Sequence, residues 1–149
     1  MSQPLAYVDT SALVKRFVSE DRTAEMEAFA LDNEYRLTIS SLTVAEFRSV
    51  LKRRLRMGTV DAPFVTKATE QLAIEIASSA LAFQAIDAGL FNLAGDLIER
   101  LDAPLGTLDA LHLACAKTAR CTLMVSADKQ LLRAAEEAEM QILDLSPEP

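Results

Sequence analysis

The sequence predicts an α/β fold in which the short strands of a parallel sheet alternate with helices on both faces. Short apolar runs recur along the chain, and most are followed by a longer stretch with helical periodicity. The first of these runs is apolar on both faces, as is typical of a strand in a buried parallel sheet. Half of the 149 residues are hydrophobic, and we find neither an internal repeat nor a linker. We therefore expect residues 1–149 to form a single domain with one sizeable core.

The first half of the chain contains two predicted strands and four predicted helices. The strands are Leu5 to Val8 and Arg36 to Ile39. The helices are Ser11 to Val18, Asp21 to about Asp32 with Asp21 as N-cap, Leu42 to Met57, and Val60 to about Ser78. The third helix is the clearest, because apolar residues recur every three or four positions along one face before Gly58 ends it.

The second half alternates in the same way. Strands are predicted at Phe83 to Ile86, Thr122 to Val125 and Met140 to Leu143. Helices are predicted at Ala88 to Leu101 with Asp87 as cap, at Thr107 to Ala119 with Thr107 as cap, and from about Lys129 to Ala138. The tail from Ser146 to Pro149 is expected to be frayed.

Charge and composition exclude several classes of protein. The net charge of −7 counts against a protein that binds nucleic acids non-specifically through electrostatic contacts with phosphates. It does not exclude a nuclease, because a cluster of carboxylates can bind cations that reverse the local charge. No apolar run approaches the roughly 20 residues of a membrane-spanning helix, and the first residues lack the features of a signal peptide. We expect a cytoplasmic protein that makes no membrane contact. Cys115 and Cys121 fit neither a disulfide framework nor a zinc motif and are expected to be free thiols, buried or half-buried.

Four acidic residues lie where a ligand site of such a fold is expected. Asp9 and Asp128 each follow a short apolar strand, and Glu46 and Asp109 lie near predicted helix starts. The carboxyl ends of parallel strands meet at one edge, so these side chains should converge there. Crowded carboxylates repel one another unless a cation is present, and Mg²⁺ or Mn²⁺ suits oxygen ligands. Without a nucleophilic Ser or Cys arrangement, the pattern points to metal-dependent phosphodiester hydrolysis.

Each acid also has a purely structural interpretation. Asp9 could shape a strand-to-helix turn, and Thr43 with Glu46 matches a capping box. Asp109 lies where a helix dipole favours an acid, and Asp128 could be the N-cap of the following helix. Taken one at a time, the structural interpretation is favoured. Only the joint pattern shifts the balance towards a metal site.

Four segments extend this interpretation: YVDTSALVKRF, SSLTVAEFRSVLKRR, TLDALHLACA and LMVSADKQLLRAA. In this order and at these separations, they resemble the PIN-domain family, and more specifically the VapC toxins of bacterial toxin–antitoxin pairs. The resemblance covers nearly the whole chain, and the motifs are specific as a set, whereas a lone DTSAL would be weak. It implies a PIN-like three-layer α/β/α sandwich with a short, mainly parallel central sheet.

The resemblance also implies an activity: an endoribonuclease, dependent on Mg²⁺ or Mn²⁺, that hydrolyses RNA phosphodiester bonds by a metal-activated water. It further implies a homodimer that a cognate antitoxin protein holds inactive. The residues that match the family's motifs are the catalytic and metal-binding acids Asp9, Glu46, Asp109 and Asp128, and the supporting hydroxyls Thr10, Ser11 and Ser126. Gly106 departs from the pattern, because many relatives carry a basic residue there, so substrate contacts at that point are in doubt.

A basic cluster shares the predicted helix of Glu46. Arg48, Lys52 and Arg53 fall off its apolar stripe. They are candidates for contact with the RNA backbone or with an acidic part of an antitoxin. A solvated helix face is an equally supported interpretation.

Four other side chains have simpler interpretations. His112, the only histidine, is taken as a packed residue with one hydrogen bond, and we leave it out of the site. Tyr7 lies inside the first predicted strand and is expected to be buried. Phe83 and Phe91 are expected in the core or a dimer interface, not as platforms for base stacking.

The alternative function is a non-cleaving PIN-like module that binds RNA or a protein and acts as a regulator. The complete set of four acids argues against it. A receiver-type domain would have adjacent acids after the first strand and a lysine after a late strand, where this chain has Thr10-Ser11 and Asp128. A phosphatase with a covalent aspartate would have a second acid at the position of Ser11.

Overall fold

The computed structural model describes residues 2–149. Within that range the five strands are β1 (Leu5–Val8), β2 (Arg36–Ser40), β3 (Ala82–Gln84), β4 (Leu123–Ser126) and β5 (Gln141–Asp144). The seven helices are α1 (Thr10–Val14), α2 (Thr23–Asp32), α3 (Ser41–Arg56), α4 (Ala62–Ala77), α5 (Ala88–Arg100), α6 (Thr107–Thr118) and α7 (Lys129–Glu137).

The five strands form one sheet, in the order β3-β2-β1-β4-β5, and every neighbouring pair is parallel. The central strand is β1, in which Tyr7 lies opposite Thr38 of β2 and Met124 of β4. The parallel pairing brings the carboxyl ends of all five strands to the same edge of the sheet. The predicted α/β fold with a parallel sheet is confirmed.

Helices cover both faces of the sheet and divide the core into two apolar clusters. Ala6 and Val8 of β1 join one cluster with Phe47 of α3, while Tyr7 points to the other face and joins Leu113 of α6. This alternation follows from the pleat of a strand, which sends successive side chains to opposite faces. The predicted three-layer α/β/α arrangement is confirmed.

Two helix starts differ from their predicted positions. The residue before α2 is Arg22, whose left-handed backbone (φ 66°) delays the helix start, so Asp21 is not its N-cap. The N-cap of α6 is Gly106, not Thr107, and it makes no side-chain cap bond. Both predictions relied on a polar side chain near the start of a helix, whereas the backbone geometry decides which residue is the cap.

The start of α3 differs in a way that affects the site. Its capping box is formed by Ser40 and Thr43, not by Thr43 and Glu46. Because α3 begins immediately after β2, the strand's last residue, Ser40, is also the N-cap. The side chain of Glu46 is therefore free of any capping role.

The tail and the edge strand β3 also differ from expectation. Ser146 is buried, and its carbonyl accepts a hydrogen bond from Arg22 Nε at 3.0 Å, so the tail is not frayed at this residue. The strand β3 starts one residue earlier than predicted, at Ala82, and ends two residues earlier, at Gln84. Phe83 in this strand is 44% exposed and Phe91 of α5 is 57% exposed, so neither is a core residue.

Two general expectations can be compared with the fold. Cys115 and Cys121 are free and buried, as expected. Across residues 2–149, no helix combines the length and the apolar character needed to cross a membrane.

Candidate active site

The four acids predicted to form the site come from four different elements at the carboxyl edge of the sheet. Asp9 follows β1 and is the N-cap of α1, and Asp128 follows β4 and is the N-cap of α7. Glu46 lies on α3, which begins directly after β2, and Asp109 lies in the first turn of α6. The N-cap role predicted for Asp128 is confirmed, and Asp9, predicted to shape the turn from strand to helix, does so as the N-cap of α1. These structural roles do not prevent the two residues from lying at the same edge of the sheet.

Asp9 is the most buried of the acids, at 4% exposure. Its Oδ1 accepts hydrogen bonds from Ser11 Oγ at 2.7 Å and from the Ala12 backbone N–H at 3.0 Å. Its Oδ2 accepts a hydrogen bond from Ser126 Oγ at 2.6 Å. Burial raises the pKa of Asp9 above its ordinary value, while these hydrogen bonds, led by that from Ser126, act in the opposite direction. The carboxylate is held in one orientation by three donors.

Ser126 connects Asp9 to Asp128. Its hydroxyl donates to Asp9 and accepts a hydrogen bond from the backbone N–H of Asp128 at 2.9 Å. Asp128 caps α7 through a single oxygen, Oδ1, which accepts from the N–H groups of Gln130 at 2.9 Å and Leu131 at 3.4 Å. The capping role thus uses one oxygen of the Asp128 carboxylate.

The protonation of Asp109 depends on its neighbour Asp128. Burial raises the pKa of Asp109 to about 6, and the neighbouring Asp128 carboxylate adds to the rise. The charge of Asp9 contributes in the same direction. The charges of Asp128 and Asp9 both raise the pKa of Asp109, as expected for three carboxylates that lie close together at this edge of the sheet.

Glu46 is held through its Oε1 atom. Thr10 Oγ1 donates to it at 2.6 Å, and His112 Nε2 lies 2.5 Å from it. Burial acts to raise the pKa of Glu46, but the hydrogen bonds from His112 and Thr10 outweigh that effect, so the pKa lies below its ordinary value. Glu46 is an ionised carboxylate at neutral pH.

Sequence reasoning left His112 out of the site. The residue is buried, at 3% exposure, as expected for a packed histidine. It makes two hydrogen bonds where one was expected, to Glu46 and, through Nδ1, to the Tyr7 hydroxyl at 2.6 Å. The sequence did contain one indication that His112 lies near the acids: it follows Asp109 by three residues, on a neighbouring face of the same helix.

The basic residues of α3 are of two kinds. Arg48, Lys52 and Arg53 are exposed, and within residues 2–149 none of them forms a salt bridge. Arg54, in the same run, pairs with Glu20 at 2.5 Å and so ties α3 to the loop before α2. Arg56, at the end of α3, is likewise exposed and forms no salt bridge within residues 2–149, so Arg54 is the basic residue of this helix whose charge is paired there.

The acids can be tested for their fit to a divalent cation. Their oxygen donors suit a hard ion, and the raised pKa values of Asp9 and Asp109 mark a place where a cation would favour the ionised forms. Among the described residues 2–149, no three His, Cys, Asp or Glu side chains form a ready-made cage. Carboxylate oxygens such as these suit an ion that keeps several water ligands and takes few carboxylates directly, as Mg²⁺ does.

A comparison with protein-family models matches residues 6–137 to the PIN domain. The chain belongs to the PIN-domain family. The matched range includes all four acids, and the predicted family is confirmed. A search among curated proteins finds no significant match to this PIN domain.

Solved structures of toxin–antitoxin proteins share the fold of this PIN domain. The Mycobacterium tuberculosis toxin VapC20, described as cleaving the sarcin–ricin loop, is 18% identical with a TM-score of 0.69, over 87% of this chain and 94% of its own. The Rickettsia felis VapBC2 structure, bound to a promoter DNA fragment, is 18% identical with a TM-score of 0.60, over 94% and 98%. A Klebsiella pneumoniae toxin–antitoxin complex is 17% identical with a TM-score of 0.63, over 96% and 99%.

Proposed function

We propose that this PIN domain is a metal-dependent endoribonuclease and the toxin of a toxin–antitoxin pair. The observation that carries the proposal is the convergence of Asp9, Asp109 and Asp128 at one edge of the sheet, with Glu46 fixed beside them. The likeness in fold to a toxin described as cleaving the sarcin–ricin loop supports RNA as the substrate.

The proposed cofactor is Mg²⁺ or Mn²⁺, held by Asp9, Asp109 and Asp128, with Glu46 as a further ligand, direct or through water. When bound, such an ion neutralises charge on the scissile phosphate and lowers the pKa of a coordinated water. Three donors hold the carboxylate of Asp9 in one orientation. Glu46 is ionised and has its Oε1 engaged by two donors, so its Oε2 is the oxygen available to orient a water molecule.

The proposed contact surface for RNA or the antitoxin is the exposed basic face of α3, formed by Arg48, Lys52 and Arg53. A helix rises about 1.5 Å per residue, so Arg53 lies only about 10 Å along the axis from Glu46. A phosphate backbone entering the acidic site could therefore reach these charges. They offset locally the repulsion that a chain of net charge −7 exerts on RNA.

Two further proposals concern assembly and location. The structures of toxin–antitoxin complexes with this fold support a cognate antitoxin as partner. The exposed apolar side chains of Phe83 and Phe91 support a homodimer, because such side chains are favoured at interfaces. We place the proposed activity in the cytoplasm.

The decisive experiment measures RNA cleavage by the purified protein with Mg²⁺ or Mn²⁺, with EDTA, and beside a folded Asp9→Asn variant. We expect cleavage that requires the metal and is lost in Asp9→Asn, because the amide keeps the size of the side chain but removes its charge. Because the target could be one specific RNA, growth on expression in bacteria serves as a second assay.

The outcomes separate the enzyme from the non-cleaving alternative. Growth arrest that Asp9→Asn relieves, even without cleavage of a broad RNA pool, would support a selective nuclease. A folded protein that neither cleaves RNA nor arrests growth would overturn the proposed enzyme and leave a binding module.

A further inference from the structure

A buried chain of hydrogen bonds leads from the interior of the fold to Glu46. Ser40 Oγ lies 2.9 Å from the Tyr7 hydroxyl, and the Tyr7 hydroxyl lies 2.6 Å from His112 Nδ1. His112 Nε2 in turn lies 2.5 Å from Glu46 Oε1. The four side chains come from β2, β1, α6 and α3. This series of hydrogen bonds therefore links the strands β1 and β2 to the helices α6 and α3, which carry Asp109 and Glu46.

One arrangement of hydrogens gives each contact in the chain a donor and an acceptor. A carboxylate oxygen accepts hydrogen bonds, so the hydrogen on the 2.5 Å contact between Glu46 Oε1 and His112 Nε2 belongs to the imidazole. Burial raises the pKa of Tyr7, so its hydroxyl keeps its hydrogen and can donate it to His112 Nδ1. Ser40 Oγ accepts from the Thr43 backbone N–H, and in this arrangement its own hydrogen goes to the Tyr7 oxygen, the nearer of its two hydroxyl neighbours. Every hydrogen in the chain then points towards the carboxylate.

We propose that His112 is a positioning residue of the nuclease: its Nε2–H fixes the carboxylate of Glu46, and the Tyr7 hydroxyl fixes the tautomer and orientation of the imidazole. This inference rests on the proposed function and assigns a role to a residue outside the acidic quartet. Thr10 and His112 both bind Oε1, so these two hydrogen bonds leave Oε2 of Glu46 available for a contact in the site. Hydrogen-bond partners that orient a functional carboxylate affect the reaction without contacting the substrate.

The first test needs neither RNA nor metal. His112 is the only histidine, so a protein labelled with ¹⁵N-histidine gives one set of ring signals without any assignment step. We expect the metal-free wild type to carry a hydrogen on Nε2, the nitrogen that faces Glu46. In Glu46→Gln the Nε2–H signal should shift and exchange faster with water, and Tyr7→Phe should introduce the second tautomer. A wild-type imidazole with a hydrogen on Nδ1 and none on Nε2 would overturn the inference.

The second test uses two amides of similar polarity at position 112. The side-chain amide of His112→Gln places its nitrogen near the position of Nε2 and can still donate to Glu46. The amide of His112→Asn ends near Nδ1, so it can reach Tyr7 but not Glu46. We expect His112→Asn to lower kcat by about 10- to 100-fold with little change in KM, as loss of such a partner typically does. His112→Gln should recover most of the rate.

The unfolding curves of both variants complete the test. If the residue acted only in packing, activity would follow stability, and the two variants would lose it together. That result, or an active His112→Asn, would overturn the positioning role. If the wild type cleaves no RNA and does not arrest growth, the proposed function fails, while the tautomer measurement still shows whether His112 holds Glu46.

Discussion

At the scale of single residues, Asp109 has an unfavourable electrostatic position in the metal-free protein. Burial and the neighbouring Asp128 raise its pKa to about 6, from an ordinary value of 3.8. A carboxyl whose pKa is raised by folding binds its proton more tightly in the folded state than in the unfolded state. Its favourable contribution to stability is therefore present below the unfolded pKa and is lost as the pH rises through the folded pKa.

Asp109→Asn should remove this pH-dependent cost. In EDTA, we expect the free energy of unfolding of the variant, minus that of the wild type, to rise between pH 3.8 and about pH 6 and to stay constant above that range. Urea unfolding across this range measures the difference. The control is Asp96→Asn, which removes the same charge from an exposed position on α5. A variant less stable than the wild type at neutral pH, or equal effects in the two variants, would contradict this prediction.

At the scale of elements, the helix α3 has two faces with different roles, one buried in the core and one exposed and basic. On its apolar face, Phe47 and Leu51 pack into the core. This packing fixes the helix against the sheet and so sets the position of Glu46 in the site. Its exposed face carries Arg48, Lys52 and Arg53. The same helix therefore fixes the distance between the proposed reacting centre and the proposed contact surface for RNA.

Removing charge from the exposed face of α3 should weaken RNA binding. We expect Lys52→Ala/Arg53→Ala, in the Asp9→Asn background that prevents cleavage, to raise the Kd for RNA. Each lost phosphate contact with a single strand should also lower the slope of log K against log salt by about 0.7. Fluorescence anisotropy at several salt concentrations measures both quantities.

The matched control removes two exposed charges far from the acids. Arg100 and Lys117 lie near the ends of α5 and α6, away from the carboxyl edge of the sheet. Arg100→Ala/Lys117→Ala should leave the salt dependence nearly unchanged. Equal weakening in the two double variants would show that net charge, not the face of α3, governs binding.

Elements with a strong local pattern were predictable, and contacts between distant residues were not. The strand–acid–helix pattern at Asp9 and Asp128 placed both residues correctly, because a parallel sheet brings the ends of its strands together. Thr43 and Glu46 have the spacing of a capping box, but the strand ends one residue before the helix begins and Ser40 is the cap. A sequence pattern cannot show which of two nearby hydroxyl residues ends the strand.

The environment of His112 lay beyond local patterns altogether. Its partners are 105 and 66 residues away along the chain, at Tyr7 and Glu46. Only the order of strands in the sheet and the packing of α6 against it bring the three together. Sequence periodicity placed His112 on a helix and indicated burial, but the hydrogen bonds depend on the complete fold.

At the scale of the whole molecule, the order β3-β2-β1-β4-β5 puts the strands that precede Asp9 and Asp128 side by side at the centre of the sheet. The central strands are packed on both faces, so the fold holds the acids close together even though they repel one another. The energetic cost falls on the metal-free protein. A bound cation would relieve this repulsion, so metal binding and stability should be linked.

Mn²⁺ should therefore stabilise the whole fold. A ligand that binds only the folded state adds RT ln(1 + [L]/Kd), about 2.7 kcal/mol at one hundred times the Kd. We expect the thermal midpoint of the wild type to rise with Mn²⁺ concentration and to return with EDTA. Asp9→Asn and Asp109→Asn should show a much smaller rise, because each removes a ligand charge. Arg100→Ala/Lys117→Ala should respond as the wild type does. An equal rise in all four proteins would mean that Mn²⁺ binds elsewhere, and no rise in the wild type would contradict a metal site at these acids.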